Sequence, residues 1–313
     1  MPARLTTYPP DGAALVRLLD ENTTCHIGRA STCELRIEHP SVSRFHAEIE
    51  HRKSGWYLHD TGSKNGLRVD GHLVRGTELV KRTWFSVGDV QCSFEPLDVA
   101  TAEAQRAANL SRRAISRALS AQLQQPAVGM STLIPQLLEM VLQLSGLERG
   151  FVLYADAGEP LRVRASRALK PADFAGDRFA GSASAVERAL AGGKSVVCCD
   201  TVDSPWLAVR PSVRLGGIRA IVCVPLAMHN GASGVIYVDS RQPGPPVTEL
   251  DLELVESVAS QAATAIEAAH LRDRIAGLLD ALSDAGELAP AWEDLRREQA
   301  SGNAEQVPSQ AAD

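Results

Sequence analysis

Short stretches that are apolar or alternate apolar with polar fill the first third of the chain. Residues 15–19, 34–37, 46–50 and 56–59 have this character, and clusters of Gly, Pro, Ser and Asn separate them. In residues 46–50, Ala47 and Ile49 face inward while Glu48 and Glu50 face water, the pattern of a half-buried strand. Regular short strands joined by such turns predict an antiparallel β-sandwich. From Val99 the texture changes. Residues 101–124 are rich in Ala, Arg and Leu without Gly or Pro, which favours helix. Pro126 and Gly129 interrupt it, and Ser131 is placed to cap a second helix running to Leu144. Strand-like stretches follow at 150–154, 161–165, 195–198, 220–226 and 234–238, with a helix at 184–191 between them. Asn230-Gly231 suits a hairpin turn between the last two strands. A long helix, 249–282, closes the region. Strands bracketed by helices predict an α+β domain.

Composition agrees with a folded, two-domain chain. Of 313 residues, 44% are hydrophobic and 22% charged, and at 4% aromatics the cores must be mostly aliphatic. The net charge of −6 argues against nucleic acid as a partner. Residues 1–96 are balanced at 12 basic and 12 acidic side chains, whereas residues 283–313 carry 2 and 7. The longest apolar run, 220–228, is far shorter than a membrane span. The first ten residues lack an apolar signal stretch. The expectation is a cytoplasmic protein with no membrane partner. The divisions expected are a first domain at 1–98 with its core at 14–95, a helical linker at 99–125 and a second domain at 126–270. A C-terminal helical extension at 271–300 and a disordered tail at 301–313 complete the chain.

Catalytic chemistry finds little support. Among the six cysteines, none forms a C-x-x-C pair, and all read as buried thiols, the adjacent Cys198 and Cys199 included. His26, His39, His51, His59 and His72 lack metal-ligand spacing, so no metal and no cofactor is expected. No Walker loop, HExxH element or nucleophile-and-base pattern occurs.

Three loop motifs carry the chemistry of the first domain: Ile27-Gly28-Arg29, Ser41-Val42-Ser43-Arg44-Phe45-His46 and Asp60-Thr61-Gly62-Ser63-Lys64-Asn65-Gly66. Arg29 offers a guanidinium fork, Ser43 a hydroxyl donor, and Arg44 and Lys64 further positive charge. Asn65 offers both a donor and an acceptor. Such a set suits a phosphorylated hydroxyl amino acid, with its charge of about −1.5 to −2 and three acceptor oxygens. Taken in order on a strand-rich background, the motifs resemble the forkhead-associated (FHA) domain over about residues 14–95. The resemblance implies a phosphothreonine-binding site at Arg29, Ser43, Arg44, Lys64 and Asn65. It also implies structural support from Gly28, His46 and Gly66. Lys64 stands where many family members have Thr, and an FHA fold used as a passive docking surface stays open. Phosphorylation of the chain's own Thr6, Thr7, Thr23 or Thr24 would permit self-binding.

Residues 108–282 resemble a GAF domain with flanking helices. The matching stretches run Leu144 to Tyr154, Gly217 to Leu226, Gly234 to Arg241 and Val247 to Val255. GAF domains bind cyclic nucleotides, tetrapyrroles or haem, or nothing. Here Asp239-Ser240, Val247 and Asp251-Leu252 keep little of the cyclic-nucleotide pattern, and His229 reads as an exposed turn residue rather than a haem ligand. The GAF ligand is left unknown, either a small molecule or none. Leu271, Ile275, Leu278 and Leu282 form an apolar helical seam, with Leu110, Ile115 and Leu119 placed to pack beside it. The resemblance implies a homodimer.

The combined expectation is a multidomain, non-catalytic bacterial adaptor: an all-β FHA sandwich followed by an α+β antiparallel-sheet GAF domain. Its partner would be a phosphothreonine-containing protein, either a Ser/Thr kinase or a kinase substrate. The alternatives are a regulator gated by a GAF ligand and a thiol-redox enzyme using Cys198, Cys199 and Cys223.

Overall fold

A computed structural model describes residues 1–123, 129–169, 181–228 and 232–284. The first domain contains β1 (Ala3–Tyr8), β2 (Leu15–Leu19), β3 (Cys25–Gly28), β4 (Leu35–Arg36), β5 (Ala47–Arg52) and β6 (Gly55–Asp60). It continues with β7 (Leu67–Val69), β8 (His72–Val74), β9 (Gly76–Glu78), β10 (Thr83–Val87) and β11 (Val90–Pro96). These strands form two sheets, ordered β2-β1-β11-β10-β7-β8 and β4-β3-β5-β6-β9. Both sheets pack on one core that includes Leu5, Ile27, Ile49, Leu58, Phe85 and Phe94. The domain is an all-β sandwich.

The sandwich begins at Ala3, ahead of the expected core of 14–95, because β1 is paired between β2 and β11. Buried Thr6 and Thr7 break the apolar–polar alternation that would have marked this strand. Thr7 is fully buried with its hydroxyl 3.5 Å from Cys92 Sγ, so the Thr6–Thr7 pair is not presented for self-recognition.

The second domain contains α1 (Val99–Leu123), α2 (Met130–Ser145), β12 (Arg149–Ala155), β13 (Arg162–Arg167) and α3 (Ala183–Gly192). After these come β14 (Val196–Cys198), α4 (Pro211–Gly216), β15 (Ala220–Leu226), β16 (Ser233–Ser240) and α5 (Glu249–Asp284). Its antiparallel sheet has the order β13-β12-β16-β15-β14. α2 and α5 cover one face, with α1 packed on α5, while α3 and α4 cover the other. With both faces covered, β12, β15 and β16 read as nearly continuous apolar runs rather than alternating ones.

Several expected boundaries shift. α1 is no free linker: Asp98 caps it through the Thr101 amide at 2.7 Å, and Leu123 is buried in the second domain's core. Arg112 donates to the Leu144 carbonyl at 3.1 Å and pairs with Asp251. Gly129, not Ser131, occupies the N-cap of α2, and no side chain caps that helix. The six-residue α4 is too short to leave a periodic signal. α5 is one unbroken helix, as expected for 249–282, so the division drawn at 270 falls inside it. Thr248 and Asp251 bond reciprocally at its start in a capping box, the Thr248 amide to Asp251 Oδ2 at 2.7 Å and the Asp251 amide to Thr248 Oγ1 at 3.3 Å. β15 and β16 pair as a hairpin from Ala220–Ser240 to Leu226–Gly234. Its expected Asn230-Gly231 turn, His229, and residues 285–313 lie outside the described residues. Among the described residues, no helix is long and apolar enough to cross a membrane.

Candidate functional site

The three sequence motifs meet at one end of the sandwich. β3 ends at Gly28 and hands the chain to Arg29, whose amide donates to the Ser43 carbonyl at 2.9 Å. The next amide, from Ala30, reaches the Arg44 carbonyl at 3.0 Å. A Cβ on Gly28 would lie 2.2 Å from that same carbonyl oxygen, so only glycine lets the two loops approach this closely.

His46 lies beneath these loops with no solvent exposure. Its Nδ1 accepts the Ser43 amide at 3.1 Å, which leaves the proton on Nε2 to donate to the Gly66 carbonyl at 3.1 Å. Gly66 has φ +74°, in the left-handed region that glycine tolerates. One imidazole therefore joins the loop at 41–46 to the loop at 61–66.

The remaining loop contacts leave a specific set of groups open. Ser43 Oγ accepts the Lys64 amide at 2.9 Å, which leaves its own O–H to donate elsewhere. Asn65 is exposed, and its Nδ2 donates to the Ser41 carbonyl at 2.7 Å, so part of its donor capacity braces the loops. Arg29, Arg44 and Lys64 are exposed, and none makes an ion pair among the described residues.

Sequence reasoning assigned no role to Ser41, Asp60 or Ser63, yet each shapes the loops. Asp60 Oδ1 accepts the amides of Gly62 at 2.9 Å and Ser63 at 2.7 Å, while Ser63 Oγ accepts the Gly66 amide at 2.9 Å. Ser41 Oγ accepts the Asp89 amide at 2.9 Å, tying in the turn between β10 and β11. The Asp-x-Gly-Ser turn signal was available for Asp60 and Ser63. The Ser41 contact spans 48 positions and leaves no local trace.

Ligand atoms of Glu48, Glu50 and His59 come within 4.8 Å of one another, a grouping hidden from sequence spacing because it spans β5 and β6. Arg52 Nε already donates to Glu50 Oε1 at 2.6 Å, so a protein cation matches part of that charge.

In the second domain, the residues aligned with the cyclic-nucleotide pattern hold the fold. Asp239 is buried, paired with Arg149, and accepts the Tyr237 hydroxyl at 2.9 Å. Val247 is in the core and Asp251 caps α5. A cavity of roughly 300 Å³ lies beside α4, bordered by Thr201, Val213, Arg214, Ile218 and Arg219. The thiols are poor nucleophiles: burial pushes Cys198 up to about 12 and Cys199 to about 11, and raises Cys223 as well.

The fold thus defines a β-sandwich with an apex of interlocked loops, joined to an α+β domain with helices on both faces of its sheet. Residues 25–90 match the FHA domain and residues 127–267 the GAF domain, so the chain carries an FHA domain followed by a GAF domain. Human kanadaptin is 43% identical over 82 residues, which are 23% of this chain and 10% of kanadaptin. The chain therefore spans about a tenth of that curated relative. The solved FHA domain of the CT664 protein from Chlamydia trachomatis is 22% identical with a TM-score of 0.29, covering 31% of this chain and 100% of its own. Mycobacterium tuberculosis EmbR, solved with a low-affinity phosphopeptide, is 21% identical with a TM-score of 0.25, covering 29% of this chain and 24% of its own.

Gly28→Ala should force the Arg44 carbonyl away and cost about 1–3 kcal/mol, as overpacking does. Urea unfolding measures this. Wild-type stability in the variant would mean that the two loops are not held together at Gly28.

Proposed function

We propose that the chain is a non-catalytic adaptor whose FHA domain binds a phosphothreonine-bearing protein, a Ser/Thr kinase or one of its substrates. The observation that carries this reading is the apex itself, where exposed Arg29, Arg44 and Lys64 stand on braced loops that meet at Ser43. Arg29 and Ser43 would hold the phosphate. Arg44 and Lys64 would add field, and the unused capacity of Asn65 would read the peptide backbone. Braced loops lose little conformational freedom on binding, which favours affinity. Buried thiols with raised pKa values speak against the redox-enzyme reading, since the thiolate is the reactive form.

The GAF domain would act as the coupling and assembly module. Leu271 and Leu278 on α5 and Leu110 on α1 are large apolar side chains left facing solvent in the single chain. A second copy covering them would make a homodimer, and two FHA domains per dimer would gain avidity for multiply phosphorylated partners.

Binding to a degenerate phosphothreonine peptide library tests the first claim. The expected result is selective binding, lost in Arg29→Ala and absent with unphosphorylated peptides. Undiminished binding by Arg29→Ala would refute it. Mass measurement by sedimentation tests the second: a dimer at micromolar concentration, converted to monomer by Leu271→Glu with Leu278→Glu. A monomeric wild type would contradict dimerisation.

A further inference from the structure

The loop between β1 and β2 belongs to the sandwich by sequence and to the GAF domain by packing. Ala13 is buried within the GAF core. Ala14 makes a parallel bridge to Thr248, its amide donating to the Val247 carbonyl at 2.8 Å and its carbonyl accepting the Glu249 amide at 2.9 Å. Asp11 Oδ1 accepts the Ser204 hydroxyl at 2.6 Å and the Trp206 indole N–H at 3.0 Å. Cys199 Sγ lies 3.5 Å from the Gly12 carbonyl oxygen. Both backbone and side-chain polar groups of the loop are thus satisfied by the other domain.

This loop lies at the same end of the sandwich as the apex. Tyr8, the last residue of β1, pairs with Gln91, close to the β10–β11 turn that bonds Ser41. Immediately beyond the loop, Arg17 on β2 reaches in two directions. Its Nη1 donates to Glu249 Oε2, in the first residue of α5, at 2.7 Å. Its Nε donates to the Glu34 carbonyl at 3.3 Å. Glu34 ends the segment that Arg29 begins, and its own carboxylate accepts the His26 amide at 2.8 Å.

We propose that Arg17 is a positioning residue for phosphopeptide recognition, holding the Arg29 loop against the start of α5 so that peptide affinity and the GAF domain's conformation are linked. The proposal rests on the phosphothreonine reading of the apex. A guanidinium fork suits the role because it bonds a carbonyl and a carboxylate at once from a planar, fixed geometry. Linkage makes the effect reciprocal: peptide binding tightens the α5 contact as much as that contact tightens peptide binding.

The test uses the full chain, the degenerate phosphothreonine library and hydrogen exchange. Arg17→Ala and Glu249→Gln should each weaken peptide binding about fivefold, the low end of common couplings, and the double variant should be no worse than either single one. Peptide binding should also slow exchange at the Ala14 and Glu249 amides, an effect that a merely structural Arg17 would not produce. In the free protein, Asp11→Asn should speed exchange across residues 29–34. Additive losses, or faster exchange confined to residues 10–14 and 247–249, would overturn the proposal. A wild-type chain that binds no peptide refutes the phosphothreonine reading instead, and free-protein exchange then decides the mechanical link alone.

Discussion

The geometry of the apex depends on one buried side chain. His46 accepts the Ser43 amide and donates to the Gly66 carbonyl, so its ring ties together, from beneath, the two loops that leave the paired ends of β5 and β6. Each bond satisfies a group that burial would otherwise strand at a cost of about 1–3 kcal/mol. Gly28 and Gly66 serve the same constraint from the backbone side, one by allowing close approach and the other by adopting positive φ. Once the loops are fixed, Ser43 Oγ accepts the Lys64 amide and its own O–H stays available as a donor. The exposed cations of Arg29, Arg44 and Lys64 are thus carried on braced loops. Preorganisation of this kind lowers the conformational cost of any binding at the apex.

The second domain extends the same logic across a domain boundary. α1 lies against α5 instead of spanning open space, and Arg112 and Arg113 pair with Asp251 and Glu253 on α5. The β1–β2 loop adds a second attachment at the opposite end of the sandwich from Pro96 and α1. Two attachments restrict relative rotation far more than one flexible connection would. A chain joined this way has a direct mechanical route between the apex and α1 and α5.

Legibility from sequence followed the range of each interaction. Both domains were readable, because the motifs at 27–29, 41–46 and 60–66 and the apolar runs of β12, β15 and β16 are local. β1 was not, since its paired threonines carry no alternation. Cross-strand contacts escaped as well: Ser41 with Asp89, and Glu48 and Glu50 with His59, join residues that sequence alone does not bring together. The docking of Ala13 and Ala14 into the second domain left no trace, because two small apolar residues after a Pro-Pro-Asp-Gly turn read as an ordinary loop. Asp239 and Asp251 were legible only as positions in a ligand pattern, and the structure commits them to an ion pair and a helix cap.

The most direct measurement is a crystal structure of the full chain with a phosphothreonine peptide bound. The expected result is a phosphate held by the Arg29 guanidinium and the Ser43 hydroxyl, with His46 still bonded to Ser43 and Gly66. A phosphate seated elsewhere, or an apex in which the His46 bonds have been broken to admit it, would contradict the preorganised receptor.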